Sequence, residues 1–248
     1  MICKGRQKIS TEITDDMIIS DINSLVSLLN VSMEKHLYNK ADIDYLINYR
    51  NGQQTILNKV KQVRDEINNK VVLNHAQMIT RVIGGYFLGN PIQYIQAGDG
   101  AKKEDIDRLN RYVSFEDKPS VDKEIGELQS ICGTAYRIVY TDGAFTDEVP
   151  FEEKSLDPSC TYVVYENNIS EQPLLGVTYH NMIDADGVYF GNRIYVYTRH
   201  GLYTFESNME SMITKDDLVE FVQYNVGGVP IIEYPNNRWR IGDWELCI

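Results

Sequence analysis

Apolar residues in the first half of the chain recur at the three-and-four spacing of amphipathic helices. After Thr14-Asp15-Asp16, an N-cap pattern with acidic residues in the first turn, this spacing continues from Ile18 to Met33. A second helix is predicted over Lys40 to Tyr49, where Asn51-Gly52 supplies a helix end. The pattern therefore indicates two helices joined by a loop.

Three more helices are predicted before residue 132. The first covers Asn74 to Phe87 and is closed by Gly89-Asn90-Pro91, because proline cannot continue a helix and disfavours helical geometry in the residue before it. Two helices with polar faces follow, near Lys103 to Val113 and Ser120 to Ile131. The helical part of the chain is thus predicted to span residues 1–132.

The hydrophobic period changes from about 3.6 to 2 at Gly133, which indicates strands from there on. Asp142-Gly143 predicts a hairpin turn, because glycine accepts a positive φ. Short strands joined by tight turns favour an antiparallel meander over parallel crossovers. The predicted strands are Tyr136–Tyr140, Thr161–Tyr165, Leu175–Met182, Val188–Thr198, Leu202–Phe205 and Leu218–Tyr224.

These elements predict an α+β fold in which N-terminal helices pack on one face of an antiparallel, tyrosine-rich β-meander. We predict one compact unit over residues 1–248 rather than two independent domains. Its helical part is 1–132, its sheet part is 133–235, and a final segment covers 236–248.

The composition narrows the functional class. Asp and Glu number 36 against 24 Lys and Arg, and the net charge is −12, so tight nucleic-acid binding is not expected of a chain without a cationic run. No window approaches the roughly 18 apolar residues of a membrane span, and no apolar stretch marks a signal peptide. The four cysteines lie far apart and are predicted to be reduced. We expect a soluble intracellular protein without a membrane partner.

Candidate catalytic and cofactor motifs are incomplete. Gly84 and Gly89 have the spacing of a phosphate-binding loop, but Asn90-Pro91 stands where Lys-Ser/Thr is required. Asp184-Ala185-Asp186-Gly187 lacks the further ligands of a calcium loop and predicts a β-turn. The histidines share no metal or catalytic spacing. We predict no cofactor, no metal and no catalytic residue, with a hydrolase that assembles a histidine and a carboxylate through folding as one alternative.

Several segments, in order and spacing, resemble the portal proteins of tailed phages with long non-contractile tails that infect Gram-positive bacteria. They are Tyr45–Gly52 with Ile56-Leu57, Asn74–Ile92, Gly133–Tyr136, Leu156–Pro158 with Val163–Tyr165, and Gly228–Asn237 with Gly242–Glu245. The structural residues that match family motifs are Tyr49, Gly52, Asn74, Gly85, Tyr86, Gly89, Asn90, Pro91, Asp157, Pro158, Pro230, Asn236, Asn237, Asp243 and Glu245.

The resemblance implies a structural subunit of a ring, typically dodecameric, at one capsid vertex. Genomic DNA passes through such rings during packaging and ejection, and they join head to tail. The implied partners are other portal subunits, capsid and scaffolding proteins, with terminase and head-completion proteins bound through stem and clip regions. Family members continue with stem, clip and crown beyond the segment matched by Asp243–Glu245, so the resemblance covers the wing region only. The implied location is the portal vertex of the virion, and the bacterial host cytoplasm during assembly.

A different reading is a carbohydrate- or protein-binding module of another phage structural protein. It would use the tyrosine-rich sheet as its binding face and needs exposed aromatic side chains in a groove. Trp239 and Trp244, close together near the C-terminus, favour this alternative, although core packing explains them equally well. The 17 tyrosines fit cross-strand packing, and some outward ones fit subunit contacts.

Overall fold

A computed structural model describes residues 5–63, 68–98, 100, 102–115, 117–141, 151–208, 211–224 and 226–248. The helices are α1 (Asp15–Ser20), α2 (Ile22–Arg50), α3 (His75–Leu88), α4 (Lys103–Phe115) and α5 (Lys118–Cys132), with short 3₁₀ turns at Thr55–Asn58, Lys215–Asp217 and Glu245–Cys247. The strands are β1 (Ile9–Thr11), β2 (Thr134–Tyr140), β3 (Glu152–Leu156), β4 (Thr161–Glu166), β5 (Pro173–Ile183), β6 (Tyr189–Tyr197), β7 (Gly201–Ser207), β8 (Leu218–Gln223) and β9 (Ile231–Pro235).

The strands form two sheets, and the α+β class is confirmed. A six-stranded sheet has the order β1-β4-β5-β6-β7-β8, and a three-stranded sheet has the order β3-β2-β9. All described pairs are antiparallel except β1 with β4. Strands β4 to β8 form the predicted antiparallel meander. The strand β2 lies outside it, because β2 pairs with the distant β9, Tyr136 opposite Glu233, instead of joining β4.

The predicted loop between two N-terminal helices is also wrong, because α2 runs unbroken through residues 34–39. This stretch contains no glycine or proline. Its inward-facing positions carry the polar residues His36 and Asn39, which are buried in place of apolar ones. The His36 ring lies 3.2 Å from the Ser159 carbonyl oxygen. The Asn39 side chain accepts from the Gln7 amide at 2.8 Å and donates to the Gln7 carbonyl at 2.9 Å. A helix can bury polar groups that are paired in this way.

The first half of α2 and all of α1 cover the six-stranded sheet, as predicted for the N-terminal helices. The inward residues of α2 meet both β-branched and aromatic side chains from the central strands, and the His36 ring stacks on Tyr162 with centroids 4.7 Å apart. This main core contains Ile9, Ile18, Leu25, Leu28, Leu29, Met33, Tyr162, Val164, Leu174, Leu175, Val177, Tyr179, Ile194, Val196, Phe205 and Ile213.

A second cluster forms where the last turns of α2 meet α3, α5 and the C-terminal segment. It contains Ile43, Leu46, Ala76, Ile131, Cys132 and Trp244. A third cluster, Tyr136, Ile138, Val163 and Ile231, joins the two sheets. Because α2 contributes to the first two clusters and β4 to the first and third, the three clusters are linked through continuous elements.

Several smaller predictions have outcomes in the described residues. Asp184–Gly187 forms the expected turn, since Asp184 Oδ1 accepts from the amides of Asp186 at 3.0 Å and Val188 at 2.8 Å. Asp142-Gly143 lies outside the described residues. Within the described part of the chain, no helix has the length and apolar character needed to cross a membrane.

Candidate functional site

The C-terminal segment is anchored by a buried tryptophan. Trp244 is 1% exposed and stacks on Tyr49 of α2, with ring centroids 5.6 Å apart and planes 24° apart. Its Nε1 donates to Thr80 Oγ1 on α3 at 3.1 Å, so its polar group is paired inside the core. The indole therefore ties residues 236–248 to two helices at once.

Side-chain amides fix the backbone just before this anchor. Asn236 Nδ2 donates to the Ile241 carbonyl at 3.0 Å and to Asp243 Oδ1 at 2.9 Å. Asn237 Oδ1 accepts from the amides of Trp239 and Ile241, each at 3.1 Å. A tight loop results, and it is held by bonds that asparagine can make with both its amide atoms.

A buried ion pair joins the C-terminal segment to the N-terminal part of the chain. Glu245 is 3% exposed, pairs with Arg6 and accepts from the Gly242 amide at 2.9 Å. Arg6 also donates to the Cys132 carbonyl at 3.3 Å. We call residues 236–248 with Arg6, Tyr49 and Thr80 the C-terminal junction.

Glu233 and Arg240 form a second buried pair beside the junction. Arg240 donates to both carboxylate oxygens of Glu233, Nε to Oε1 at 2.6 Å and Nη2 to Oε2 at 2.8 Å. The Tyr165 hydroxyl donates to Oε2 at 2.7 Å. Burial alone would raise the pKa of Glu233, but these donors overcome it and hold that pKa below its usual value. No motif in the sequence indicates this pair, because it depends on a contact between β9 and the following loop.

Three of the predicted motif residues shape the connection from α2 to α3. Gly52 has φ +92° and ends α2. Asn74 is the N-cap of α3: its Oδ1 accepts from the Gln77 amide at 3.1 Å, and its Nδ2 donates to the Arg50 carbonyl at 2.8 Å. At Gly89 a β-carbon would lie 2.3 Å from the Gly85 carbonyl oxygen, so the helix end excludes any other residue.

Asp157, Pro158 and Pro230 lie away from this junction. Asp157 Oδ1 accepts from the Ser159 amide at 2.8 Å in the turn before β4, and Pro158 is buried beside it. The Pro230 carbonyl accepts from the Val139 amide at 3.1 Å at the start of β9. These residues shape turns, whereas Asn236, Asn237, Asp243 and Glu245 come together in the junction.

The outward face of α3 is apolar. Met78, Val82 and Tyr86 follow one another at four-residue spacing, and Val82 and Tyr86 are 65% and 85% exposed. Phe87 packs edge-on against Tyr86 with centroids 5.6 Å apart, and the motif residues Asn90 and Pro91 follow in the exposed end. We call Met78, Val82, Tyr86 and Phe87 the α3 stripe. A helix that is apolar on its outer face as well as its inner one is normally covered.

A concavity lies beside the stripe, between α3, α5 and the end of α2. We call it the α3–α5 cleft; it has a volume of about 460 Å³. Its walls carry three cations, and Arg50 is paired with Glu127. Arg50 Nε is buried without a hydrogen-bond partner among the described residues. The lining residues are Arg50, Thr80, Arg81, Gly84, Gly85, Leu88, Gly89, Lys123 and Glu127.

The structure bears on the two alternative functions, a hydrolase and an aromatic binding module. His200 and Asp15 do come together, with Nε2 to Oδ2 at 2.7 Å, but in the described parts of the chain no hydroxyl or thiol is hydrogen-bonded to that ring. Trp239 is exposed whereas Trp244 is buried, so the two tryptophans do not form a paired aromatic surface.

The exposed apolar face of α3 is typical of surfaces that bind other chains. Residues 29–248 match the family described as phage portal protein, SPP1 Gp6-like. The chain belongs to this family of structural phage proteins, which confirms the predicted resemblance to phage portal proteins. None of the curated proteins compared with the chain matches it.

Proposed function

We propose that this chain is the wing-like part of a portal-ring subunit at the capsid vertex, where genomic DNA is packaged and ejected and where head joins tail. The observation that carries this proposal is the family match over residues 29–248, which includes α3, α4, α5, both sheets apart from β1, and most of the C-terminal junction. The role is structural, and the chain itself catalyses no reaction.

The partners of this subunit are other portal subunits together with capsid and scaffolding proteins. Terminase and head-completion proteins bind through segments other than the wing. The subunit assembles in the bacterial host cytoplasm and remains at the portal vertex of the virion. Its net charge of −12 suits a periphery that does not grip DNA, because phosphates are repelled by an acidic surface.

Cross-linking tests the ring. A ring requires a head-to-tail contact between two different surfaces, whereas a twofold contact stops at a dimer. Zero-length cross-linking at increasing protein concentration should therefore give a ladder of dimers, trimers and larger species. Monomers at every soluble concentration, or dimers alone, would contradict the proposal.

Light scattering coupled to size exclusion adds a second measurement. At the dilution of the column we expect the 248-residue chain to be a monomer or a weak, small oligomer, because repulsion between acidic copies opposes closure, most strongly at low salt. The weak contacts that cross-linking captures at high concentration dissociate under these conditions. A stable species of about twelve subunits at low and high salt would show that the wing alone specifies the ring.

DNA and nucleotide assays test the proposed absence of gripping and catalysis. Titration with a labelled duplex at physiological salt should show little binding, and nucleotide hydrolysis should stay at background. Sub-micromolar binding that weakens steeply with salt would reveal a cationic DNA site and refute the charge argument.

A further inference from the structure

The β5–β6 hairpin extends beyond its neighbours in the six-stranded sheet. On one side Asn192 pairs with Ser207, the last residue of β7. On the other side Thr178 pairs with Thr161, the first residue of β4. Within the described strands, the hairpin therefore continues past both partners to its turn. We call residues 183–190 the hairpin tip.

The hairpin tip presents apolar side chains on a constrained turn. Ile183 and Phe190 are 59% and 58% exposed, and Val188 is similarly exposed. The tip contains two aspartates and no lysine or arginine. Asp184 holds the turn through the amides of Asp186 and Val188, whereas the Asp186 side chain is exposed. Because the turn is already ordered, docking it would cost little conformational entropy.

Neither the backbone conformation nor the packing of the described chain requires glycine at two positions of the α3–α5 cleft. Gly84 and Gly85 lie inside α3, where glycine is less favourable than alanine. Neither has a positive φ, and a β-carbon at either position would meet nothing within 4 Å. Gly126 of α5 differs, since its β-carbon would lie 2.4 Å from Leu88. The two missing side chains leave room in the cleft for atoms from outside the chain.

The cleft and the tip are complementary in charge and in polarity. Arg81 and Lys123 are exposed at the cleft and present positive charge there. Asp186 can face these cations while Phe190 meets the α3 stripe. Both patches are exposed in the same molecule, so neither is covered by another part of the described chain.

We propose that the hairpin tip of one copy docks in the α3–α5 cleft of the next copy. This inference rests on the proposed portal function and names the surfaces through which subunits contact one another. The contact is head-to-tail, because tip and cleft are different surfaces, and it can therefore repeat around an axis. Apolar anchoring by the tip supplies affinity, and the opposite charges select the partner surface and its register.

Site-specific photo-cross-linking tests the location. Benzoylphenylalanine replaces Phe190, and equal amounts of unlabelled and ¹⁵N-labelled chains are mixed and irradiated at high concentration. Mixed-isotope cross-links are expected between the tip and peptides of α3 or α5. Cross-links that map elsewhere, or to the tip of the second copy, would overturn the docking proposal.

Charge exchange tests the pairing. Arg81→Glu and Asp186→Lys should each reduce the cross-linked ladder by about tenfold, because each places like charges together, and the double variant should restore it. Asp216→Lys, at an exposed acidic position outside the tip, changes the net charge by the same amount as Asp186→Lys and should leave the ladder within about twofold. Unchanged ladders in both single variants would overturn the pairing.

The two proposals fail in different ways. If the unaltered chain forms a ladder that neither charge variant affects, the ring proposal stands and the tip–cleft contact is wrong. If the unaltered chain forms no ladder, both are wrong.

Discussion

Replacing Gly84 by alanine should stabilise the isolated chain. Gly84 lies in the interior of α3, has ordinary helical φ, and leaves open space where the β-carbon would stand. The gain is then the difference in helix propensity, about 0.8–1 kcal/mol, with no clash to offset it. For a chain of this size, that gain raises the Tm by about 2–4 °C. Thermal unfolding followed by circular dichroism measures it.

Gly126→Ala is the matched control. It makes the same replacement inside α5, but its β-carbon would lie 2.4 Å from the Leu88 Cδ1 atom. The end of the Leu88 side chain must shift to make room, so the rise in Tm should be smaller than for Gly84→Ala. A lower Tm for Gly84→Ala would refute the reasoning, because it would mean that the folded chain itself requires glycine there.

Three further variants probe buried polar groups. Trp244→Phe should lower the unfolding free energy by about 2 kcal/mol, since it leaves a cavity and an unpaired hydroxyl; a loss below about 0.5 kcal/mol in urea denaturation would contradict the anchoring role. Glu245→Gln should lower the unfolding free energy by about 3 kcal/mol, because it leaves Arg6 buried without its counter-charge. The control Glu171→Gln, at an exposed ion pair, should lower it by less than about 1 kcal/mol in the same assay. Equal losses of unfolding free energy in the two variants would contradict the role of burial. Burial lowers the pKa of His36 from 6.5 to about 4, so as the pH falls the unfolded chain protonates this histidine before the folded chain does. The free energy of unfolding therefore falls by about 3 kcal/mol between pH 6.5 and pH 4. His36→Phe should remove that part of the slope, and identical pH profiles would disprove the assignment.

The helix boundaries that depend on local chemistry were predictable from the sequence. Asn74 as an N-cap and Gly89-Asn90-Pro91 as a stop act within a few residues, and both mark the ends of α3 as expected. The continuous course of α2 was not predictable from periodicity, because His36 and Asn39 are buried through bonds to Ser159 and Gln7. Polar residues on an inward face interrupt a hydrophobic pattern without interrupting the helix.

The division into two sheets has a non-local cause. The partner of β2 is β9, with Ile138 opposite Ile231, and no pattern within β2 specifies a strand so distant in sequence. The same limit applies to Arg137, which is buried between Asp122 of α5 and Glu153 of β3. Only folding brings these charges together.

The candidate interface was partly visible in the sequence. Ile79, Val82, Ile83 and Tyr86 recur at helical spacing along α3, yet the structure divides this set: Ile79 and Ile83 are half-buried, whereas Val82 and Tyr86 face outward. A helix with apolar residues on more than one side does not reveal which side is inward. The exposed cations of the cleft also come from two different helices, which sequence spacing cannot relate.

The long helix α2 has a consequence for synthesis on the ribosome. Its buried residues Leu25 and Leu29 pack against Leu175, Ile194 and Phe205, which are translated roughly 150 residues later. At about 5–20 residues per second, the nascent chain carries an uncovered apolar helix for ~10–30 seconds. Chaperones that hold such segments would therefore act on this chain before its sheet exists, and a shortage of them would appear as aggregation during expression, not as instability of the finished protein.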